Sequence, residues 1–421
     1  MRVTIADTNY SDQKYRGLAA TWLQWECSKK GVDIVNPSDR PDFILMTTSS
    51  QQGVGQIKSW LRKWKPRCPV ILGGVVAWAP AIFNDLVDVI CVGEGQRFIR
   101  ILLSHDLDAA RALPEAWIPG ETRSVIPGDT FPWDCPPLRH PDGTVRVWGS
   151  RGCKRACLFC QTGWERSYAP SPAPHLIKAQ IAALKRQGEK VAIITNDAAS
   201  EELIGALGQQ EFVSVTLANI RALQLSRNIT KSIRIGVEGV SERLRRGIGK
   251  PITNEQLCDI TIRAWEARVG VRWFFIAGLP GENDGDWEEL RGLVDVLRTR
   301  ERGCVMANFH AFIPQPATPL GVLPLQDTYW ERFEEFRRWF FHGIGFTRRL
   351  QIVPPAQYGG RMKRARESMA ASEAELRRGW FWDDNDNWRI KYKLSPEQLR
   401  KIATIYARRI DMSLEVRQVT P

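Results

Sequence analysis

Short apolar runs alternate with amphipathic stretches along most of the chain. Up to about residue 104 the strand-like runs are RVTIAD, VDIVN, DFILMTTSS, VILGGVVAW and VDVICVGEG. Helical patterns fall between them, at Leu18 to Ser28 and Val54 to Trp64. Strands separated by helices imply a parallel sheet covered on both faces. Residues 105–143 hold ALPEAWIPGE, VIPGDTFPWDCPPL and HPDG, and so many prolines predict a surface linker without regular helix.

From Thr144 the alternation resumes with TVRVWGS, KVAIIT, FVSVTLANI, SIRIGVEG, VRWFFIAG and CVMANFHAFIP. Helical patterns separate these runs, as from Trp287 to Leu297, where Leu290, Leu293 and Val294 share a face. Six β/α units in series predict an incomplete (β/α) barrel over residues 144–324, with its chemistry on loops after the carboxyl ends of strands. Residues 325–421 read as a helical, basic and aromatic extension, with Phe333, Phe336 and Phe340 on one face of its first helix. The expected class is α/β: a sheet domain, a linker, a partial barrel and a helical tail.

Composition narrows this. A chain of 421 residues, 43% hydrophobic and 25% charged, is globular. No apolar run approaches the ~18 residues that span a bilayer. MRVTIADTNY lacks the zones of a signal peptide, so a cytoplasmic protein with no membrane partner is expected. Nine cysteines, an odd number, argue for reduced thiols and against a disulfide framework. A formal charge of +12 favours a polyanionic partner, although a basic enzyme with no affinity for nucleic acid fits the charge equally.

Three of the nine cysteines fall within GSRGCKRACLFCQTGWER, as Cys153, Cys157 and Cys160. The spacing C-x3-C-x2-C lets one loop wrap three corners of a 4Fe-4S cube, leaving one iron open to the amino and carboxylate groups of S-adenosylmethionine. Phe159 would then supply an apolar wall beside the bound nucleoside. The competing reading is a zinc site completed by His140 or His175, but no second ligand pair at short spacing is present.

SRGCKRACLFC resembles the signature loop of the radical S-adenosylmethionine superfamily. IGVEGVSERLRRGIGK (Ile235 to Lys250), FIAGLPGE (Phe275 to Glu282) and FHAFIPQPATPLG (Phe309 to Gly321) resemble its fourth-, fifth- and sixth-strand motifs. VILGGVVAWAP and VDVICVGEGQ resemble the Rossmann-like, cobalamin-binding-type domain that precedes the barrel in one branch. The resemblance implies that Cys153, Cys157 and Cys160 ligate the cluster. It places Asn196 and Asp197 at the methionine amino group and Glu238, Ser241 and Arg243 at ribose or carboxylate. Gly278 and Pro280 would shape the turn near the adenine, and Ile313 would pack on it.

Departures from the pattern carry information too. Relatives that ligate cobalamin through histidine carry Asp-x-His-x-x-Gly after the first strand, where this chain reads DTNYSDQKYRG. Histidine ligation by that motif is excluded, while relatives holding cobalamin without it leave the cofactor open. Methylthiotransferases of the superfamily need three further cysteines on loops of the first domain. Cys27, Cys68 and Cys91 fall in a helix pattern, before a strand and inside one, so a second cluster is not expected.

The tail combines Arg361 to Arg366 with Trp380, Phe381, Trp382, Trp388 and Tyr392, a mixture suited to single-stranded or flipped-out nucleic acid. DNA is the favoured partner, with a low-potential electron donor as a second. The expected activity is hydrogen abstraction from a modified base, resembling the viral isomerases that convert N-glycyl-thymine to its carbon-linked isomer. Cobalamin-assisted methylation of nucleic acid or peptide, and a non-catalytic iron-sulfur or zinc protein that binds nucleic acid, are the alternatives.

Overall fold

The computed structural model describes residues 1–7, 18–48, 54–64, 66–140, 143–165, 168–170, 173–195, 212–215, 225, 231–299, 305–315, 317–323, 329–344, 350–353, 389–391 and 393–412. The first unit runs β1 (Arg2–Asp7), α1 (Leu18–Lys29), β2 (Asp33–Ile34), β3 (Phe43–Thr48), α2 (Val54–Trp64), β4 (Val70–Gly74), β5 (Val89–Cys91), α3 (Gln96–Leu102), α4 (Leu107–Ala112) and β6 (Ala116–Trp117). Its sheet has the order β2-β1-β3-β4-β5-β6, parallel except for β6. The order in which strands are added reverses between β1 and β3, and the carboxyl ends at such a switch point form a crevice. Val54, Ile57 and Leu61 of α2 cover one face, while Leu23 and Cys27 of α1 with Phe98 and Leu102 of α3 cover the other.

Residues 105–143 depart from the expected surface linker. Asp106 caps α4 by accepting the Ala109 amide at 2.7 Å, and β6 extends the sheet antiparallel beside β5. Trp117 is fully buried, its indole donating to Asn84 Oδ1 at 3.0 Å. The prolines begin only at Pro114, beyond the helix, and an edge strand tolerates them nearby.

The second unit comprises β7 (Leu138–Arg139), β8 (Val145–Trp148), β9 (Ser150–Arg151), α5 (Gln161–Glu165), β10 (Ala169–Pro170), α6 (Pro174–Arg186), β11 (Val191–Ile194), β12 (Phe212–Val215), β13 (Ser232–Glu238), α7 (Glu242–Gly247), α8 (Asn254–Glu266), β14 (Gly270–Ala277), α9 (Asp284–Arg298), β15 (Val305–Ala311), α10 (Tyr329–Ile344), β16 (Leu350–Val353) and α11 (Pro396–Arg409). Parallel strands β12-β13-β14-β15-β16 form one sheet, and β11 pairs parallel with β8 in another. The six expected barrel strands are therefore β8, β11, β12, β13, β14 and β15. A further parallel strand, β16, lies in the stretch read as helical, because LQIV is too short to display a period.

From Ile233 onward β13 alternates buried and more open positions, as do β14 and most of β15. Ile233, Ile235 and Val237 of β13, Trp273 and Phe275 of β14, and Ala307 and Phe309 of β15 bury against α8, α9 and α10. Phe333, Phe336 and Phe340 of α10 join that core as their spacing predicts. Ala403 and Tyr406 of α11, with Ile410 just beyond it, pack into the same core, so this helix belongs to the barrel unit. The Arg361 to Arg366 run and Trp380, Phe381, Trp382, Trp388 and Tyr392 lie outside the described residues. Among those described, no helix is long and apolar enough to cross a membrane.

Candidate active site at the barrel mouth

The cysteine loop leaves the barrel directly after β8 and β9 through Gly152, whose φ of 63° favours glycine. Two neighbouring segments clamp the loop. Leu158 donates its amide to Ile248 O at 3.1 Å, its own carbonyl accepts the Leu320 amide at 3.0 Å, and the Gln161 amide donates to Gln315 Oε1 at 2.7 Å. The Trp164 indole donates to Cys157 O at 2.9 Å. A side chain on Gly163 would run into Arg155 O. Cys157 is buried, Cys153 and Cys160 half-buried, and the Arg155 amide approaches Cys153 Sγ at 3.4 Å.

Burial pushes the Cys157 thiol up to about 11; Lys250 pulls it down, while Cys160, Glu238 and Cys153 add to the rise. Burial also raises Cys160, opposed by hydrogen bonds from the Thr162 backbone and hydroxyl. Cys157 and Cys160, two thiols that resist ionisation, call for a cationic partner. Among the described residues no three His, Cys, Asp or Glu side chains are grouped to hold a single ion, so His140 and His175 do not complete a zinc site here. A cube takes its thiolates at separate irons, so the donor set and its spread fit an iron-sulfur cluster better than one ion.

Glu238 ends β13 at a register shift, with φ at 66°. This strained geometry turns its carboxylate to accept from Lys250 Nζ at 2.7 Å, and the same ammonium donates to Gly236 O at 3.0 Å. Burial works against the Lys250 charge, but Glu238 and the thiolates Cys157 and Cys160 outweigh it and hold its pKa above the ordinary lysine value. Lys250, which the sequence reading passed over, stands beside the cysteine loop and acts electrostatically on Cys157. It closes the quoted fourth-strand motif, and its signal was a cation reaching back toward the acid of the same segment.

Other expected residues are placed differently. Ser241 is fully buried as the cap of α7, accepting the Leu244 amide at 3.2 Å and donating to Asp286 Oδ1 at 2.5 Å. Arg243 pairs with Asp286 at 2.5 Å and donates to Gly281 O and Ile410 O. Both make scaffold contacts, with Asp286 as their shared partner. Gly278 has φ at 83° and donates its amide to Glu282 Oε2 at 3.0 Å, and Pro280 O accepts the Tyr406 hydroxyl at 2.7 Å. The turn is thus sharp as expected, but Pro280 serves as a dock for α11. Ile313 packs on the core of the first sheet, bridging the two units. Phe159 packs on the barrel core. Asn196 and Asp197 lie outside the described residues.

A cavity of about 420 Å³ lies at the carboxyl ends of the first sheet's strands, between that sheet and the barrel. Thr47, Gly73 and Gly74 line it from the sheet, Trp148 and Gly152 from the barrel, and Phe131 and Pro132 from the intervening segment. Phe131 meets Trp148 edge to face at 4.9 Å, which makes the proline-rich stretch a wall of this cavity. A Cβ on Gly73 would enter open space. Thr47 Oγ1 and Trp22 Nε1, both on lining residues, are buried without a hydrogen-bond partner. Unpaired polar atoms in an apolar wall are costly and suit an amphipathic ligand.

Residues 149–294 match the sequence profile of the Radical SAM superfamily. The ribosomal protein uS12 methylthiotransferase RimO of Chlorobium phaeobacteroides is 23% identical over 179 residues, 37% of this chain and 41% of that protein. The tRNA-2-methylthio-N(6)-dimethylallyladenosine synthase of Nitrosomonas eutropha is 22% identical over 344 residues, 72% of this chain and 74% of that protein. The fold is similar to that of the radical S-adenosylmethionine methyltransferase TsrM from Kitasatospora setae, with a TM-score of 0.53 and 14% identity over 76% of this chain and 75% of the other. It is also similar to that of the cobalamin-dependent S-adenosylmethionine radical enzyme OxsB, with a TM-score of 0.51 and 14% identity over all of this chain and 63% of the other.

Proposed function

We propose, from the premise that residues 149–294 form a radical SAM domain, that this chain is a cobalamin-using methyltransferase acting on a nucleic acid. A radical SAM domain works with a 4Fe-4S cluster and S-adenosylmethionine. Cys153, Cys157 and Cys160 would hold the cluster, with Lys250 and Glu238 beside it. When bound, these groups supply a primary carbon radical that removes hydrogen from an unactivated carbon, and cobalamin supplies a transferable methyl group. A low-potential electron donor is the second partner this chemistry requires.

The observation that carries the cobalamin reading is the continuity of one cavity from Thr47 at the carboxyl end of β3 to Gly152, the residue before Cys153. Thr47 and Trp22 offer unpaired polar atoms to the side-chain amides of a corrin, and Trp22, Phe131 and Trp148 offer apolar contact. Among the described residues no histidine lines the cavity, and Trp22, Thr47, Phe131 and Trp148 are the residues that would hold cobalamin. Phe131 and Pro132 line the cavity and would help to exclude water from it once the cofactors are bound.

Methyl transfer is preferred to methylthio transfer because the other cysteines are scattered. Cys27 is buried in α1, Cys91 is buried in β5, and Cys68 precedes β4. Burial pushes the Cys27 thiol up to about 11 and raises Cys68 and Cys91 as well. The expectation of N-glycyl-thymine isomerisation finds no support in the relatives named above, and DNA has no advantage over RNA as substrate. The charge of +12 and the tRNA-directed activity of one relative favour a nucleic acid.

Anaerobic reconstitution with iron, sulfide and hydroxocobalamin tests the proposal. Retained cobalamin, 5′-deoxyadenosine formation and label moving from methyl-labelled S-adenosylmethionine into bulk RNA or DNA are the expected results. Deoxyadenosine without bound cobalamin or methyl transfer would return the chain to hydrogen abstraction alone. No deoxyadenosine with an intact cluster would overturn the catalytic reading.

A further inference from the structure

Because alternate residues of β13, β14 and β15 bury against the surrounding helices, the others face the barrel interior. Register aligns them in layers: Arg272 opposes Met306, Phe274 opposes Asn308, and Ile276 opposes His310. The uppermost layer therefore presents Ile276 and His310, and Glu238, which the register shift sets opposite Phe275, lies close enough to act electrostatically on His310. Below it Gly236 has no side chain, and the Lys250 ammonium with the Glu238 carboxylate occupies the space where its Cβ would stand. One side of the interior is thus an ion pair. On the other, the rings of Phe274 and His310 lie parallel within 6°, their centroids 6.1 Å apart.

We infer that Phe274 and His310 form the wall of the barrel interior that reads the substrate, and that it takes a planar heteroaromatic ring, a nucleobase. Parallel rings on adjacent strands offer an aromatic surface on which a base stacks, worth on the order of tenfold or more in affinity per base. The imidazole adds what a phenyl ring lacks. In its neutral form one nitrogen donates and the other accepts, matching the mixed edge of a base. Burial holds the His310 pKa below the ordinary histidine value, against the pull of Glu238, the charged group that acts on it. The imidazole is therefore neutral at pH 7 and keeps both functions. Glu238 also acts on Cys157 and Cys160, which places the aromatic wall and the cysteine loop around one mouth. His310 sits one residue before the end of β15, where it is crowded enough to feel desolvation while part of its surface stays open to solvent.

This inference rests on the nucleic-acid part of the proposed function and deepens it to a base held inside the barrel. The chain has five histidines, so histidine-selective isotope labelling of anaerobically purified, cluster-loaded protein gives a readable spectrum. Adenosine, cytidine, uridine, guanosine and thymidine are titrated separately, with ribose as control, and the His310 signal is assigned from its loss in both His310→Asn and His310→Gln. At least one nucleoside is expected to shift His310 while ribose does not, and Phe274→Leu is expected to weaken that response about tenfold. Shifts confined to His105, His140, His175 or His342, equal shifts with ribose, or no shift at all would overturn the inference. Wild-type protein that cleaves S-adenosylmethionine but shows no His310 response sinks the aromatic wall alone. A His310 response in protein that never retains cobalamin sinks the methyltransferase reading and leaves the wall standing.

Discussion

Lys250 Nζ stands 2.7 Å from Glu238 Oε1 across the register shift that ends β13, and both groups act electrostatically on Cys157. The pair joins the barrel's fourth strand to the cysteine loop. Lys250→Met removes the only one of those influences that eases ionisation of Cys157. Iron loading of the variant is therefore expected to need a higher pH than wild type, measured as iron per protein after anaerobic reconstitution across pH 7 to 9. Leaving Glu238 without its donor is also expected to cost about 1–3 kcal/mol in a denaturant titration.

Cys157→Ala deletes the most buried member of the cysteine trio. Iron and sulfide content should collapse and 5′-deoxyadenosine formation should vanish, while circular dichroism stays native. Full activity in this variant would contradict the cluster assignment.

Gly163→Ala tests the loop's packing without touching a thiol. The added methyl meets Arg155 O, a backbone atom that cannot rotate away. The expected outcome is a loss of about 1–3 kcal/mol in stability together with reduced cluster content. Normal iron loading would show that the loop yields more easily than its hydrogen bonds suggest.

Gly73→Leu fills the cavity between sheet and barrel, because nothing lies within 4 Å of the new Cβ. Stability should change by less than about 1 kcal/mol, whereas cobalamin retention should fall at least tenfold. Spectrophotometry of the reconstituted, desalted protein reads the difference. Undiminished retention would place the cofactor elsewhere.

Glu282 supplies a pH dependence. Burial pushes its carboxyl up to about 7, with hydrogen bonds from Trp287 and Gly278 and the charge of Arg332 opposing the rise and Asp286 adding to it. Since the folded value exceeds the unfolded one, the folded state retains the proton longer. Stability from this group is full below about pH 4.3 and is lost as pH rises toward 7, at about 1.4 kcal/mol per unit. Thermal unfolding of wild type and Glu282→Gln across pH 4.5 to 8 should show a falling contribution in wild type that the variant lacks. Parallel curves would refute it.

The order of strands, the positions of α1 and α2, and the cysteine loop at the end of a strand follow from the sequence alone, because periodicity and local spacing are properties of neighbouring residues. LAATWLQWECSK and VGQIKSWLRKW carry their helices in their own patterns. The carboxyl-end placement of Cys153 follows from six β/α repeats. Pairings between distant residues were decided only by the tertiary structure. The spacing of Ser241 and Arg243 matched a ligand-binding motif, yet Asp286, more than forty residues on, claims both. The cavity at Gly73 and Gly152, the seventh parallel strand β16 and the ring pair of Phe274 and His310 likewise exist only once separate segments are brought side by side. Hydrogen-bond and packing partners are chosen by proximity in space, and that proximity has no period along the chain.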